Sequence, residues 1–447
     1  MRDLIRRATL LAGVTALAKV LGFVREAAIA SSFGAGADVD ALQIALLLPN
    51  VLYSLFAGAV LGSALLPAYR KVATQAGWEQ ADRVASVAVN YAAALLVAVV
   101  TVTVVFADAI VHAAAPGFDA ARHARTVLLL QLSAPLMLPF AVSAVLSAAL
   151  NARLSFVAPV AADMCINAVA LGVMWLAGAR LGVSSVIVGY LAGAAVSVAV
   201  LASRLRGCGF RYSFCWNYRG IGFREVAALS VPVVVGNIVG QGWAVAERGF
   251  ASLLPAGAVS LLGYATRLQQ LPLAIAGLAI ASVALPHLSE SAARNDDEAF
   301  AKHVNNAFRL TLCLLIPVCA VAIWFSNDIV ALAFRRGAFG VGETQATARL
   351  LAILAPSIAA AGVIAVFGRA FFAKGDPWPP LQIGIGILAA NALLDWLLLP
   401  RFGVNALAVG YSASQIAGCI AVVLAFRHRH RSAYAGARLR VRFAEAS

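Results

Sequence analysis

Charge is scarce in this chain of 447 residues: 12% of positions are Asp, Glu, Lys or Arg, against 62% hydrophobic. Soluble domains carry about 25% charged and about 45–50% apolar residues. The balance therefore excludes a soluble globular protein and specifies a polytopic membrane protein. Cysteine is sparse too. Cys165, Cys208, Cys215, Cys313, Cys319 and Cys419 are scattered without metal-ligand company, and read as small apolar fillers rather than as a disulfide framework. Histidine pairs at ligand spacing, a Gly-rich nucleotide loop and a Walker lysine are missing. Their absence argues against an enzyme and against an ATP-driven pump built from this chain alone. No low-complexity segment or soluble domain interrupts the sequence. The formal charge of +14 is assigned to topology and not to nucleic acid, because cationic loops orient a membrane chain.

What is present is a series of apolar segments of about twenty residues, the length of a membrane-spanning helix. They fall at 8–31, 40–66, 84–106, 124–149, 156–178 and 183–203, then at 226–253, 259–285, 306–332, 346–372, 380–400 and 403–426. The first segment also has the layout of a cleavable signal, with Arg2, Arg6 and Arg7, an apolar run and Ala28-Ile29-Ala30. Lys19, Arg25 and Glu26 interrupt that run, and its repeat partner lies mid-chain, so it is read as the first span.

The repeat decides the architecture. GFVREAAIASSFGAGADVDALQIALLLP, from Gly22 to Pro49, has the same layout as AERGFASLLPAGAVSLLGYATRLQQLP, from Ala246 to Pro272. Glu26 answers to Glu247, Ser31 to Ser252 and Gly36 to Gly257, all 221 positions apart. GVSSVIVGY at Gly182 answers to GVNALAVGY at Gly403 with the same offset, and FADAIV at Phe106 answers to FSNDIV at Phe325. Pro135 and Pro159 are 24 apart, as are Pro356 and Pro380. Six spans per unit make the two copies parallel, related by an axis along the membrane normal. The expectation is an all-α protein of about 12 spans in two six-helix lobes around a central cavity. The lobes are 1–203 and 225–426, joined by a basic and aromatic linker at 204–224 and followed by a basic tail at 427–447.

With the N-terminus inside, the inner loops and tails hold about twenty Lys and Arg against about six outside. The inner set includes Arg70, Lys71, Arg83, Arg153, Arg204 and Arg206, and the outer set is Arg122, Arg125, Arg180, Arg335, Arg336 and Arg401. Both termini are thus expected in the cytoplasm. The linker, RLRGCGFRYSFCWNYRGIGFR, reads either as a grip on anionic lipid head groups or as an interfacial connector with Tyr212, Trp216 and Tyr218 at head-group depth.

Ionisable residues inside the spans are few. An ion at the bilayer centre costs about 2.5–3.5 kcal/mol on insertion scales, so each is a functional candidate. Lys19, Arg25, Glu26, Asp40, Glu247, Arg248, Arg267 and Arg369 form the candidate substrate set. Guanidinium forks suit phosphate oxygens, which points to an anionic substrate. Structural ion pairs between spans and snorkelling are the alternatives. Arg25 and Glu26 are consecutive, hence about 100° apart on a helix. Asp163 with Asn167, and Asn391 with Asp395, are i,i+4 pairs that serve as interhelical glue or as an oxygen site for a cation. No cofactor is expected; coupling to the membrane potential or to a cation is.

The stretch GFVREAAIASSFGAGADVDALQIALLLPN resembles the MurJ/MviN family of lipid II flippases, within the multidrug/oligosaccharidyl-lipid/polysaccharide exporter superfamily. Further matching stretches are APGF at Ala115, ALNARLSFVAP at Ala149, GYATRLQQLPLAIAGLAIASVALPHLSE at Gly263 and GRAFFAKGDPWPP at Gly368. The resemblance implies a V-shaped transporter of the bacterial inner membrane. It would flip an undecaprenyl-pyrophosphate-linked saccharide, with membrane lipids and cell-envelope glycan synthesis proteins as further partners. It implies that Arg25, Glu26, Asp40 and Arg267 contact the pyrophosphate or gate the cavity. This chain departs from the family pattern at Tyr53 and Ser54, where two arginines are usual, at Gly58, where a glutamate is usual, and at Thr266, where an acid is usual. Two further C-terminal spans are also part of that pattern. An exopolysaccharide or O-antigen flippase and, more distantly, a cation-coupled drug exporter are the competing expectations.

Overall fold

A computed structural model describes residues 2–55, 65–216, 241–294 and 296–429. Gly58, Tyr218, Arg219, Arg224 and the tail from 430 lie outside the described residues. All regular structure among the described residues is helical. The helices are α1 (Arg2–Phe33), α2 (Ala37–Ala45), α3 (Leu47–Ser54), α4 (Leu66–Ala76), α5 (Trp78–Val105) and α6 (Ala107–Ala114). Then come α7 (Ala120–Ser133), α8 (Met137–Ala152), α9 (Val157–Leu181), α10 (Ser184–Gly207) and α11 (241–252). They are followed by α12 (Ala258–Ala293), α13 (Asp297–Trp324), α14 (Ser326–Phe334), α15 (Val341–Ala373), α16 (Trp378–Phe402) and α17 (Val404–Arg429). Among the described residues, eight helical segments are long and apolar enough to cross a membrane. The architecture is an all-α polytopic one, and the twelve expected spans are consistent with it; the second and seventh are described only in part.

The two copies of the repeat break their helices at matching residues. Phe106 stops α5 at φ −102, ψ 22, and Phe325 stops α13 at φ −106, ψ 19. Gly182 ends α9 at φ 56, ψ −141, and Gly403 ends α16 at φ 54, ψ −136. Proline is used differently. Pro135 lies in a short 3₁₀ turn between α7 and α8, whereas Pro356 sits inside the continuous α15. A helix-interior proline leaves the carbonyl four residues back, here that of Ala352, without its helical donor; one residue on, the Ser412 hydroxyl of α17 donates to the Ile353 carbonyl at 2.6 Å. A neighbouring helix supplies such a donor because lipid cannot.

By internal contacts the chain divides into a first unit, Met1–Gly257 with Arg336–Phe339, and a second, Ala258–Arg335 with Gly340–Ser447. In the first unit α9 and α10 cross closely through Gly189 and Gly193. A Cβ on either would lie 2.8 Å from the backbone of Ala170 or Ile166. Small residues four apart are the usual way for spans to approach when lipid offers no hydrophobic driving force. At one end of this unit Tyr69, Leu150, Leu201, Leu205 and Phe210 share a buried cluster. In the second unit Phe367 and Phe371 pack on Phe426, with ring centroids 5.2 and 5.1 Å apart. Those rings join α15 to α17.

Helix starts are capped from the sequence. Asp119 accepts from the Arg122 N–H at 2.8 Å to open α7, and Asp296 accepts from the Ala299 N–H at 2.9 Å to open α13. At α15 the Glu343 carboxylate reaches back to the Gly340 N–H at 3.0 Å. Each of these bonds satisfies a donor that the helix itself leaves unpaired.

Candidate functional site

Three of the candidate ions lie on one helix, α1, and two of them touch. Arg25 Nη2 donates to Glu26 Oε1 at 2.7 Å, with the two side chains 14% and 7% exposed. Their 100° separation about the helix is bridged because the guanidinium sits at the end of a long, flexible stem. Arg25 Nη1 also donates to Asn167 Oδ1 on α9, and its Cζ lies 4.8 Å from the Tyr190 ring centroid on α10, within cation–π range. Among the described residues no acceptor faces the buried Arg25 Nε. A Cβ on Gly22, one turn before Arg25, would stand 3.9 Å from the Asn167 amide, an ordinary contact.

A second polar group lies along the same α1–α9 seam. Asp163 is within hydrogen-bonding reach of the Tyr53 hydroxyl on α3 and close enough to Lys19 to feel its ammonium. Tyr53 also packs on Phe140, with ring centroids 4.9 Å apart. Lys19 itself is exposed. Neither Tyr53 nor Tyr190 stood out in the sequence as a partner. The signal that was available is the i,i+4 pair Asp163 and Asn167, whose spacing puts both on the face of α9 that meets α1.

Asp40 is fully buried on α2 and accepts the Gly257 N–H at 2.6 Å. Its partner is the repeat counterpart of Gly36. Two further contacts in this unit obey the same symmetry. The Gly117 N–H donates to Ser252 Oγ at 3.2 Å, and the Ala338 N–H donates to the Ser31 carbonyl at 2.7 Å. Each loop, 115–118 and 336–339, thus grips the end of a first helix of the opposite repeat. Gly337, at φ +56, lies so close to the Ser31 carbonyl that a Cβ there would collide with it.

The remaining candidates lie on other helices. Glu247 is buried at 9% exposure and Arg248 half-buried, both on α11. Arg267 on α12 and Arg369 on α15 are half-buried and belong to the second unit. In that unit Asn391 and Asp395 on α16 are 2% and 1% exposed, and Asn391 Nδ2 donates to Asp395 Oδ1 at 3.3 Å. Gly410 of α17 leaves the space that this carboxylate fills. The repeat counterparts of these two residues are Ala170 and Met174, so the first copy packs the same crossing with apolar side chains.

Comparison with known proteins bears on the family and the fold. The sequence profile of the family described as "Lipid II flippase MurJ" matches residues 29–445. A probable lipid II flippase MurJ of Rhizobium meliloti is 28% identical over 436 residues, covering 95% of this chain and 80% of that protein. The lipid II flippase MurJ of Burkholderia cenocepacia is 25% identical, covering 96% and 84%. In fold, the chain superposes on a lipid II flippase MurJ in an inward closed conformation with a TM-score of 0.80 at 22% identity, covering 94% of this chain and 87% of that one. An inward-facing multidrug resistance MATE family transporter of the MOP superfamily gives the same TM-score at 13% identity, covering 93% and 95%. With nearly its whole length matched by one family profile, the chain belongs to the MurJ lipid II flippase family.

Proposed function

We propose that this protein translocates lipid II, a polyprenyl-pyrophosphate-linked saccharide, between the leaflets of the bacterial inner membrane by alternating access. Family membership makes it a transporter rather than an enzyme and favours lipid II over another envelope glycan or a drug. The observation that carries the reading to a residue is the state of Arg25. Its two terminal nitrogens are held by Glu26 and Asn167, while its buried Nε has no acceptor among the described residues. A buried unsatisfied donor costs about 1–3 kcal/mol, a cost that a pyrophosphate oxygen would relieve. Lys19, Asp40, Glu247, Arg248, Arg267 and Arg369 are further substrate-handling candidates within their own units.

Both termini are assigned to the cytoplasm from the loop charges. The buried Asn391–Asp395 pair is the place we assign to a coupling cation or proton, because the other repeat has no polar group there. Replacing Asp395 with Asn would then weaken the dependence of flipping on the ion gradient.

The experiment is complementation of a strain depleted of its own lipid II flippase, with wild type, Arg25→Ala and Arg267→Ala at matched membrane levels. Rescue by wild type alone is expected. Rescue by all three proteins would remove the cationic assignment, and failure of well-inserted wild type would remove lipid II as the substrate.

A further inference from the structure

The first half of the linker is a fixed strap. Beyond the last residue of α10, Gly209 takes φ +83 and the Phe210 N–H donates to the Leu205 carbonyl at 3.2 Å, a Schellman-type turn. Phe210 enters the buried cluster beside Leu205, and the chain then runs extended along the first turns of α5. The Arg211 N–H donates to Asp82 Oδ2 at 3.2 Å, the Ser213 N–H donates to Ser86 Oγ at 3.2 Å, and Asn90 Nδ2 donates to the Cys215 carbonyl at 2.9 Å. Four helical residues rise about 6 Å and two extended residues about 6.6 Å. Side chains at 82, 86 and 90 therefore stay in step with residues 211, 213 and 215. Non-helical backbone beside a span needs such protein partners.

The alternate residues face outward. Tyr212, Phe214 and Trp216 are 54%, 73% and 44% exposed. They are nevertheless held in place. The Tyr212 hydroxyl donates to Asn90 Oδ1 at 2.5 Å, and Trp216 meets Phe214 and Tyr91 edge-on at 5.8 and 5.3 Å. Arg204, Arg206 and Arg211 are exposed beside the row, and residues 204–216 contain no acid.

We infer that this strap is a binding surface for anionic phospholipid head groups at its end of the bundle. The aromatic row lies in the head-group layer, where amphipathic rings concentrate. The three arginines take the lipid phosphates through forked donors. The charge complementarity is one-sided, and the ladder on α5 fixes the rings in place before lipid arrives. The inference does not depend on which substrate is flipped.

The test uses the full chain in phosphatidylcholine vesicles with and without phosphatidylglycerol. The Trp216 emission, taken as wild type minus Trp216→Phe, is quenched by phosphatidylglycerol brominated near the glycerol end. Lipid retention is read by native mass spectrometry. Wild type retains phosphatidylglycerol over phosphatidylcholine, and Arg204→Gln/Arg206→Gln/Arg211→Gln lowers that preference by about tenfold or more. Trp216 is quenched by the brominated lipid and shielded from soluble acrylamide. An unchanged preference in the triple variant would overturn the inference, as would acrylamide quenching without lipid quenching. Loss of the preference in millimolar inorganic phosphate would reassign the site to free anions. Should the triple variant fail to fold, the Trp216 measurement on wild type decides.

Discussion

Replacing Asp82 by alanine removes the counter-ion of an almost fully enclosed arginine. Arg153 Nη2 meets Asp82 Oδ1 at 2.5 Å, with the side chains 7% and 5% exposed. The guanidinium is boxed by Tyr69, Trp78 and Phe210, at 5.5, 4.8 and 5.5 Å from the ring centroids. It therefore has little access to water once the carboxylate is gone. Breaking a buried pair on one side costs about 3–5 kcal/mol. The Tyr69 hydroxyl, which donates to Asp82 at 2.6 Å, loses its acceptor as well. Burial first, and then that hydrogen bond, hold the Tyr69 phenol above its ordinary range, so the group stays a donor at neutral pH. Asp82→Ala should lower the unfolding free energy in mixed detergent–lipid micelles by about 3–5 kcal/mol. Arg153→Met should do the same, because it leaves the carboxylate stranded. The double variant should cost much less than the sum, with a coupling of about 2–3 kcal/mol. A cost below about 1 kcal/mol for Asp82→Ala would match an exposed pair and would refute the reasoning. Simple additivity of the two variants would refute it equally.

Arg25→Lys keeps the charge but loses the fork that joins Glu26 to Asn167, so its flipping rate should fall by about tenfold or more while membrane abundance is unchanged. Gly193→Leu should cost about 1–3 kcal/mol by overpacking and lower the yield of monodisperse protein, whereas Gly172→Ala, with open space around its Cβ, should not. The Arg122 backbone N–H, and then its side chain, hold Asp119 below the usual carboxylate range. Its folded value is depressed, so its contribution is complete above the unfolded value of about 4 and disappears as pH falls through the folded one. The stability gap between wild type and Asp119→Asn should therefore be largest near neutral pH and close in acid.

The repeat was legible because it is written in residues with strong backbone meaning. Gly182 and Gly403 share a sequence context and end their helices with nearly the same dihedrals. Phe106 and Phe325 were visible as matching hexapeptides before they were seen to break helices. Pro135 and Pro356 were legible as a pair but not in their different effects, since the residue type alone does not tell a helix break from a position inside a continuous helix. Around the candidate site, the scarcity of ions inside the spans singled out Lys19, Arg25 and Glu26, and i,i+4 spacing put Asp163 and Asn167 on one face of α9. It left open whether Arg25 and Glu26 touch, because angular separation on a helix constrains Cβ atoms and not the far end of an arginine. The Asp40–Gly257 bond joins residues far apart in the chain, so no local pattern contains it. The α5 ladder was written plainly as Asp82, Ser86 and Asn90 at helical spacing, but its partner is a linker whose periodicity is two.

The loop 336–339 belongs by contact to the first unit although it is encoded inside the second. During synthesis, residues 1–257 leave the ribosome without it. The Ser31 carbonyl cannot receive the Ala338 N–H until residues 258–335 have followed, several seconds later at about 5–20 residues per second. Gly117 and Ser252, by contrast, are both already present. One half of the pair of grips closes early and the other late, so the order of assembly is asymmetric even though both grips join matching residues of the repeat. A bulky residue at 337 would then spare the early unit and arrest only the last step. Maturation of the nascent protein would register that defect before any equilibrium measurement did.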